Sequence, residues 1–514
     1  MYRSHLSKHL SFFLLTLIFL LAGFSACSPA TNDITSTPTA ISTPNTAYAL
    51  PGGGNCVNLG RHPHVPVTNI QVSHDSYLAH SEPMLVENPK NPLNLVGGSK
   101  FFTDPAHYRF QIGYFSSFDG GCTWTDGGVL PGFEKNVTTS DISFAFGNHN
   151  DVYAAVLYVG EGLRGKSGIA VSTSTDGGKT FGNPVNVFED IANRVFSDKP
   201  WIVVDQTQGS HSGYIYVVWA YDHNGTCGGV NNCSEELAFS RSTDGGRTFS
   251  QVSLVEGNAP FCTNPAKGRP TNSTRCDAAQ GIIPVVEPDG TLVIVSPYID
   301  LMNGPIPTRL LTISSHDAGN TWTAPVLVAT IHDIEGRFPP EKYRNLSLPA
   351  FGCDTQTGQL YLTWSDKGTR DADILLTTSK DRGQTWSEPI RVNDDPMRNG
   401  ANQFQPQLAV APGGVVSISF FDTRLDPQHR LIDVYLAQSI DHGTSFLKNV
   451  HVTAQNWDPA LNAPVDEYGS QFIGDYQGLA ADNRFVHPFW NDTRTGAQQI
   501  FTAAVPSAQP NGPP

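Results

Sequence analysis

Charge is scarce in this chain. Only 15% of its 514 residues are Asp, Glu, Lys or Arg, and no Lys/Arg-rich run occurs. The formal net charge is −15. Nucleic acid is excluded as an expected partner, because binding it needs a clustered basic face. Zinc-type cysteine spacing is also missing, and no cysteine lies in a recognisable nucleophile motif. An Asp-x-Asp-x-Asp-Gly calcium loop is absent too. Long apolar runs are limited to Ser11–Phe24, which is short for a membrane-spanning helix. In contrast, Gly (48) and Pro (37) are abundant. That composition suits many short strands joined by turns and is poor for helical bundles.

The apolar run follows a polar head containing Arg3, His5, Lys8 and His9, so the opening reads as an export signal. It ends at Phe24-Ser25-Ala26-Cys27. Small residues before a cysteine resemble the lipobox of bacterial lipoproteins, which implies lipidation of Cys27 and a membrane-anchored, cell-surface protein. Phe24 stands where Leu is usual, so ordinary signal cleavage is the alternative. Residues 28–65, Thr/Ser/Pro-rich at the start, are expected to form a tether and lead-in.

Export permits disulfides. Cys227–Cys233 and Cys262–Cys276 are the close pairs, with Cys56–Cys122 a further candidate. Cys353 is then left over as a buried thiol.

One motif organises everything else. Ser174–Phe181 reads Ser-Thr-Asp-Gly-Gly-Lys-Thr-Phe, and Ser242–Phe249 repeats it almost unchanged. Looser copies are Ser117–Trp124, Ser315–Trp322, Ser379–Trp386 and Ser439–Phe446. The start-to-start spacings are 57, 68, 73, 64 and 60 residues, which marks a repeat architecture. Each repeat carries four short alternating segments separated by turn residues. Four such strands form a small antiparallel sheet that cannot bury both faces alone. Radial stacking solves this, so the chain is expected to be an all-β propeller over residues 66–505, followed by a disordered tail at 506–514.

A seventh unit, Gln477–Ala503, lacks the motif and one strand. Pro66–Ser73 resembles the missing outer strand and would close the ring onto the last blade. Seven blades are expected, with six the alternative. In the motif itself, Asp is expected to accept turn N–H groups, Gly to supply positive φ, and Trp or Phe to pack between blades.

Ser-x-Asp-x-Gly-x-Thr-Trp is the Asp-box, and the chain resembles the sialidase-like Asp-box propellers over residues 66–505. The resemblance implies a carbohydrate or glycoconjugate partner and either a glycoside hydrolase or a non-catalytic glycan- or protein-binding propeller. The Arg-Ile-Pro segment of true sialidases is absent, the equivalent reading Ser81-Glu-Pro-Met, and sialidases have six blades. No catalytic residue is therefore transferred from that family.

Ligands in propellers usually meet the face opposite the motif turns, near the axis. Residues entering the first strands there are Glu82, Asp141, Asp198, Gln280, Tyr343-Arg344-Asn345, Gln405 and Asp475-Tyr476. Crowded carboxylates push their pKa values apart, as acid/base work needs. Glu82, Asp198, Asp475 and Tyr476 are the candidate catalytic residues, since glycoside cleavage uses paired carboxylates or a tyrosine nucleophile helped by one. Glu341 with Tyr343 is a second such pair. Asp141, Tyr343 and Arg344 are candidate substrate contacts. So are Arg370, Arg424 and Arg494, which follow second strands and could clamp a carboxylate. Alternatively these arginines pair with their neighbouring aspartates. No cofactor is expected, although an acidic mouth could take calcium. A monomer is expected.

Overall fold

The computed structural model describes residues 67–509, apart from 134–136, 161–166, 193, 224–225, 228–229, 232–234, 256, 263–273, 277–279, 299–307, 335–342, 369–370 and 467–468. The export signal, Cys27, Cys56, Cys233, Glu341 and Arg370 lie outside the described residues.

Seven antiparallel sheets follow one another around an axis. The first blade shows the pattern: Ala79–Asn88, Asn91–Asp104, Arg109–Ser117 and Thr125–Val129 pair in chain order, from the innermost strand outward. Blades two to six repeat it. The seventh blade holds Gly478–Ala481, Phe485–Asp492 and Gln499–Ala503, and its outer strand is Asn69–Gln71. Asn69 faces Ala503 and Gln71 faces Phe501, so the ring closes as the sequence implies. A short strand at Val505–Pro506 adds to Phe485–Val486.

Buried apolar clusters occupy every joint between neighbouring blades. Val96 of the first blade meets Phe144 and Val156 of the second. Phe421 and Leu436 of the sixth meet Trp490 and Phe501 of the seventh. Leu85 and Phe115 of the first meet Phe489 and Ile500 of the seventh. Alternation along each strand supplies apolar side chains to both faces, so each blade contributes to two joints.

All six repeated motifs fold as the same turn. In Ser174–Phe181, Ser174 Oγ accepts from Gly178 N at 2.9 Å, and Asp176 accepts from Thr180 N at 2.9 Å and Thr180 Oγ1 at 2.6 Å. Gly177 and Gly178 both take positive φ, 75° and 87°. The terminal ring enters a joint: Phe181 packs 4.8 Å from Tyr114 of the preceding blade. These aspartates are spent on the turn, on the face away from the axial mouth discussed below.

Cys262–Cys276 is a disulfide. Cys122 is disulfide-bonded as well. Cys353 is a free, half-buried thiol whose pKa is pushed up by burial.

Candidate functional site

The innermost strands do not run straight through the mouth. In blades one, two, three and six the ladder slips between Ser81 and Met84, Ser140 and Ser143, Asp198 and Trp201, and Phe404 and Gln407. One residue in each bulge is left-handed: Glu82 (φ 53°), Asp141 (50°), Lys199 (47°) and Gln405 (49°). Gly281 takes the same conformation, at 61°, in blade four. Non-glycine residues in this region cost free energy, and such strain collects at sites the surrounding fold over-determines. The bulges re-aim these side chains relative to a regular strand.

The ring position in the third blade is therefore Lys199, where the sequence pattern of acidic residues pointed to Asp198. Lys199 changes the character of the site. Its ammonium lies 2.9 Å from Asp475, 3.5 Å from Asp141 and 4.0 Å from Glu82. Blades three and seven are not neighbours, so the Lys199–Asp475 contact crosses the axis. Arg344, which leads into blade five, chelates Asp475 through Nε at 3.0 Å and Nη2 at 2.7 Å. Lys100, on the second strand of blade one, pairs with Glu82. Three carboxylates thus meet two ammonium groups and a guanidinium, all largely out of water.

The expected crowding of like charge is consequently relieved, and each group shifts for its own reason. Burial pushes Glu82 up to about 7, with Asp141 and Asp475 adding to the rise while Lys100 and Lys199 oppose it. Burial also opposes ionisation of Asp475, but Arg344 and Lys199 outweigh it and hold the carboxyl well below the usual range. Asp141 is lowered likewise, Lys199 and Lys100 overcoming burial, with Ser140 Oγ donating to it at 2.6 Å. Asp198 is half-buried at the edge of the cluster, accepts from Lys199 N at 3.0 Å, and is raised by burial. Tyr476 donates its hydroxyl to Asp141 at 3.3 Å. Burial and the surrounding carboxylates keep that phenol protonated.

The remaining predicted residues fall elsewhere. Tyr343 is fully buried and stacks on Phe404 with centroids 5.9 Å apart, inside the joint of blades six and seven. Arg424 is bound by its own Asp422 through Nε at 2.7 Å, reaches Asp394, and lies 4.2 Å over the Tyr435 ring. Arg494 repeats this with Asp492 at 2.7 Å, Asn69 Oδ1 at 2.7 Å and the Phe501 ring at 4.6 Å. Arg424 and Arg494 are thus each ion-paired with the aspartate two residues before them. In blade five the corresponding Asp366 contacts His332 at 3.2 Å.

Lys100 and Lys199 escaped sequence reasoning. A signal for Lys199 existed: Glu82, Lys199 and Gln405 each precede proline, and that alignment singles out Lys199 rather than Asp198. Lys100 carries no local mark. Among the described residues no group of three or more His, Cys, Asp and Glu side chains is arranged to hold a metal ion.

No protein-family profile matches the chain, and no curated protein sequence is similar to it. Among solved structures, it is similar to a protein of unknown function from Dyadobacter fermentans. Identity is 14%, TM-score 0.47, covering 74% of this chain and 98% of that one. It is also similar to a Hadza microbial sialidase, at 17% identity and TM-score 0.42, covering 82% and 75%. The endosialidase of phage phi92 aligns at 9% identity and TM-score 0.47, covering 87% and 70%.

Proposed function

We propose that this protein is a glycan-active propeller that cleaves glycosidic bonds at its axial mouth. The observation that carries the reading is the divergence of three adjacent groups. Glu82 is pushed up to about 7, Asp141 is held ionised, and Tyr476 bonds to Asp141 at 3.3 Å. Titratable neighbours driven in opposite directions are the signature of acid/base pairs. Tyr476 is the nucleophile. Asp141 accepts its proton as the phenol oxygen attacks the anomeric carbon. Glu82, protonated below about pH 7, gives a proton to the leaving oxygen; water then displaces the sugar from Tyr476, leaving one proton on Glu82 while the phenol recovers its own from Asp141. Asp475 keeps its charge and anchors Lys199 and Arg344, so its part is to hold the cations in place rather than to move a proton.

A panel of fluorogenic glycosides, sialosides included, tests the proposal. Turnover of at least one substrate should fall at least ~100-fold in Tyr476→Phe and Glu82→Gln. Turnover untouched by both changes would remove this site.

The ion pairing of every carboxylate in the cluster favours a second reading, in which the same mouth binds glycan or protein without cleaving it. Glycan binding with no turnover on any substrate would select it.

The lipobox-like ending supports export and anchoring through Cys27. Metabolic labelling with a fatty acid should mark the wild type and not Cys27→Ser.

A further inference from the structure

A second tyrosine stands at the same mouth. Tyr108 closes the one-turn helix Pro105–His107 on the loop between the second and third strands of blade one. That loop shares a face with the bulged strand entrances. Tyr108 is left-handed, with φ 52°. For a bulky side chain this is a true outlier, which the surroundings must impose. The ring is gripped by three phenylalanines: Phe110 at 5.0 Å, Phe472 at 5.4 Å and Phe102 at 5.8 Å, all tilted or edge-on. Phe472 belongs to the segment leading into blade seven. On that ring also lie the Lys100 ammonium, at 4.9 Å, and the Arg344 guanidinium, at 4.8 Å. The phenol is thus fixed beside the cations of the cluster, and Glu82 and Asp475 also act on it.

The hydroxyl has no hydrogen-bond partner among the described residues, although charged groups surround it. A phenol can donate and accept, and this half-buried one does neither with the described residues. The residue is half-buried rather than sealed, as a ligand contact requires. Burial pushes the phenol up, so it stays a donor at every physiological pH.

We propose that Tyr108 is a ligand-contacting residue of the mouth, its hydroxyl reserved for an oxygen of a bound hydroxyl-rich ligand. This rests on the glycan reading of the mouth. Tyr108 and Tyr476 then flank the ligand from blades one and seven, with different duties. Tyr476 engages Asp141, and Tyr108 fixes the ligand's position.

The test uses Tyr108→Phe, which keeps the ring and its three aromatic contacts. Binding is measured by calorimetry against methyl glycosides of neutral hexoses, N-acetylhexosamines and sugar acids at millimolar concentration. One lost hydrogen bond predicts about tenfold weaker binding of whichever probe the wild type takes, with an unchanged melting temperature. On a turned-over substrate the loss should appear in KM, with kcat retained. Equal affinity of variant and wild type would overturn the assignment, as would a lowered melting temperature, which would make the hydroxyl part of the fold. No binding of any probe by the wild type would overturn it as well. Loss of turnover alone, with probe binding intact and sensitive to Tyr108→Phe, would sink the hydrolase reading and leave Tyr108 standing.

Discussion

Removing the Lys199 ammonium should be among the most damaging single changes available to this protein. Lys199→Met keeps most of the stem and deletes the charge. Three carboxylates then lose a cation at 2.9, 3.5 and 4.0 Å. At an effective dielectric near 20, each contact is a gross attraction of about 4–6 kcal/mol. Most of it is offset by the cost of burying the charges. What remains exposed on deletion is uncompensated buried charge, which costs about 3–5 kcal/mol. The loss must depend on pH. Asp475 and Asp141 are depressed in the folded wild type, so their contribution is present above the ordinary carboxylate range and fades as pH falls through it and below. The difference between wild type and variant should therefore be largest near pH 7–8 and shrink towards about pH 3. Chemical denaturation across that range measures it. A double-mutant cycle with Asp475→Asn should give a coupling of about 1–3 kcal/mol. A loss under ~1 kcal/mol, a pH-independent difference, or a coupling near zero would refute the view that this lysine binds the blades across the axis.

Three further outcomes follow from the same structure. Asn69→Ala removes the acceptor of Arg494 and of Ala454 N, at 2.7 Å each, and the donor to Val452 O at 2.8 Å. Stability should fall by about 1–3 kcal/mol in urea titrations, through easier release of the closing strand. Because Glu82 must be protonated to act as an acid, turnover should decline as pH rises through about 7, and a pH–rate profile lacking that limb would speak against its role. In the motif turns, Asp244→Ala strands Thr248 N and Thr248 Oγ1, bonded at 2.9 and 2.7 Å, and should cost about 1–2 kcal/mol while leaving turnover unchanged.

The blade register was legible because the turn between third and fourth strands needs the same few residues each time. Ser, Asp and the second of the two positive-φ positions, glycine in all six copies, are dictated by hydrogen bonds and backbone conformation within eight residues, so the information is local. Strand edges were legible for the same reason. The mouth was only half legible. Glu82, Asp141 and Asp475-Tyr476 could be found because they enter first strands, a position set by the register. Arg344 was found the same way, but the two lysines were not: Lys199 reaches Asp475 across the ring, and Lys100 sits on a second strand, away from the entrances that the register marks. The bulge that turns Lys199 rather than Asp198 inward is a one-residue slip, and a strand's sequence pattern hardly records it. Tyr343 looked like a mouth residue by position, yet the lead-in to blade five dips into the joint there and carries its ring under Phe404. The arginines of the Asp-x-Arg repeats were ambiguous in sequence, since the same residues make either a ligand clamp or a local ion pair.

The strand at Asn69–Gln71 has a temporal meaning beyond its hydrogen bonds. It leaves the ribosome first among the seven blades' strands, yet its partner Gln499–Ala503 emerges last among the strands that complete them. Six blades can therefore stack as they are made, while the seventh waits for the opening segment to return. Until then the ring is an open arc with two bare flanks, at the first and seventh blades. Contacts this distant in sequence form slowly. The final join is thus the vulnerable moment in this protein's life, when a neighbouring chain could fill the gap in place of its own beginning. Moving the chain ends into a motif turn, with Asn69–Gln71 linked behind Ala503, would shift that moment to another blade.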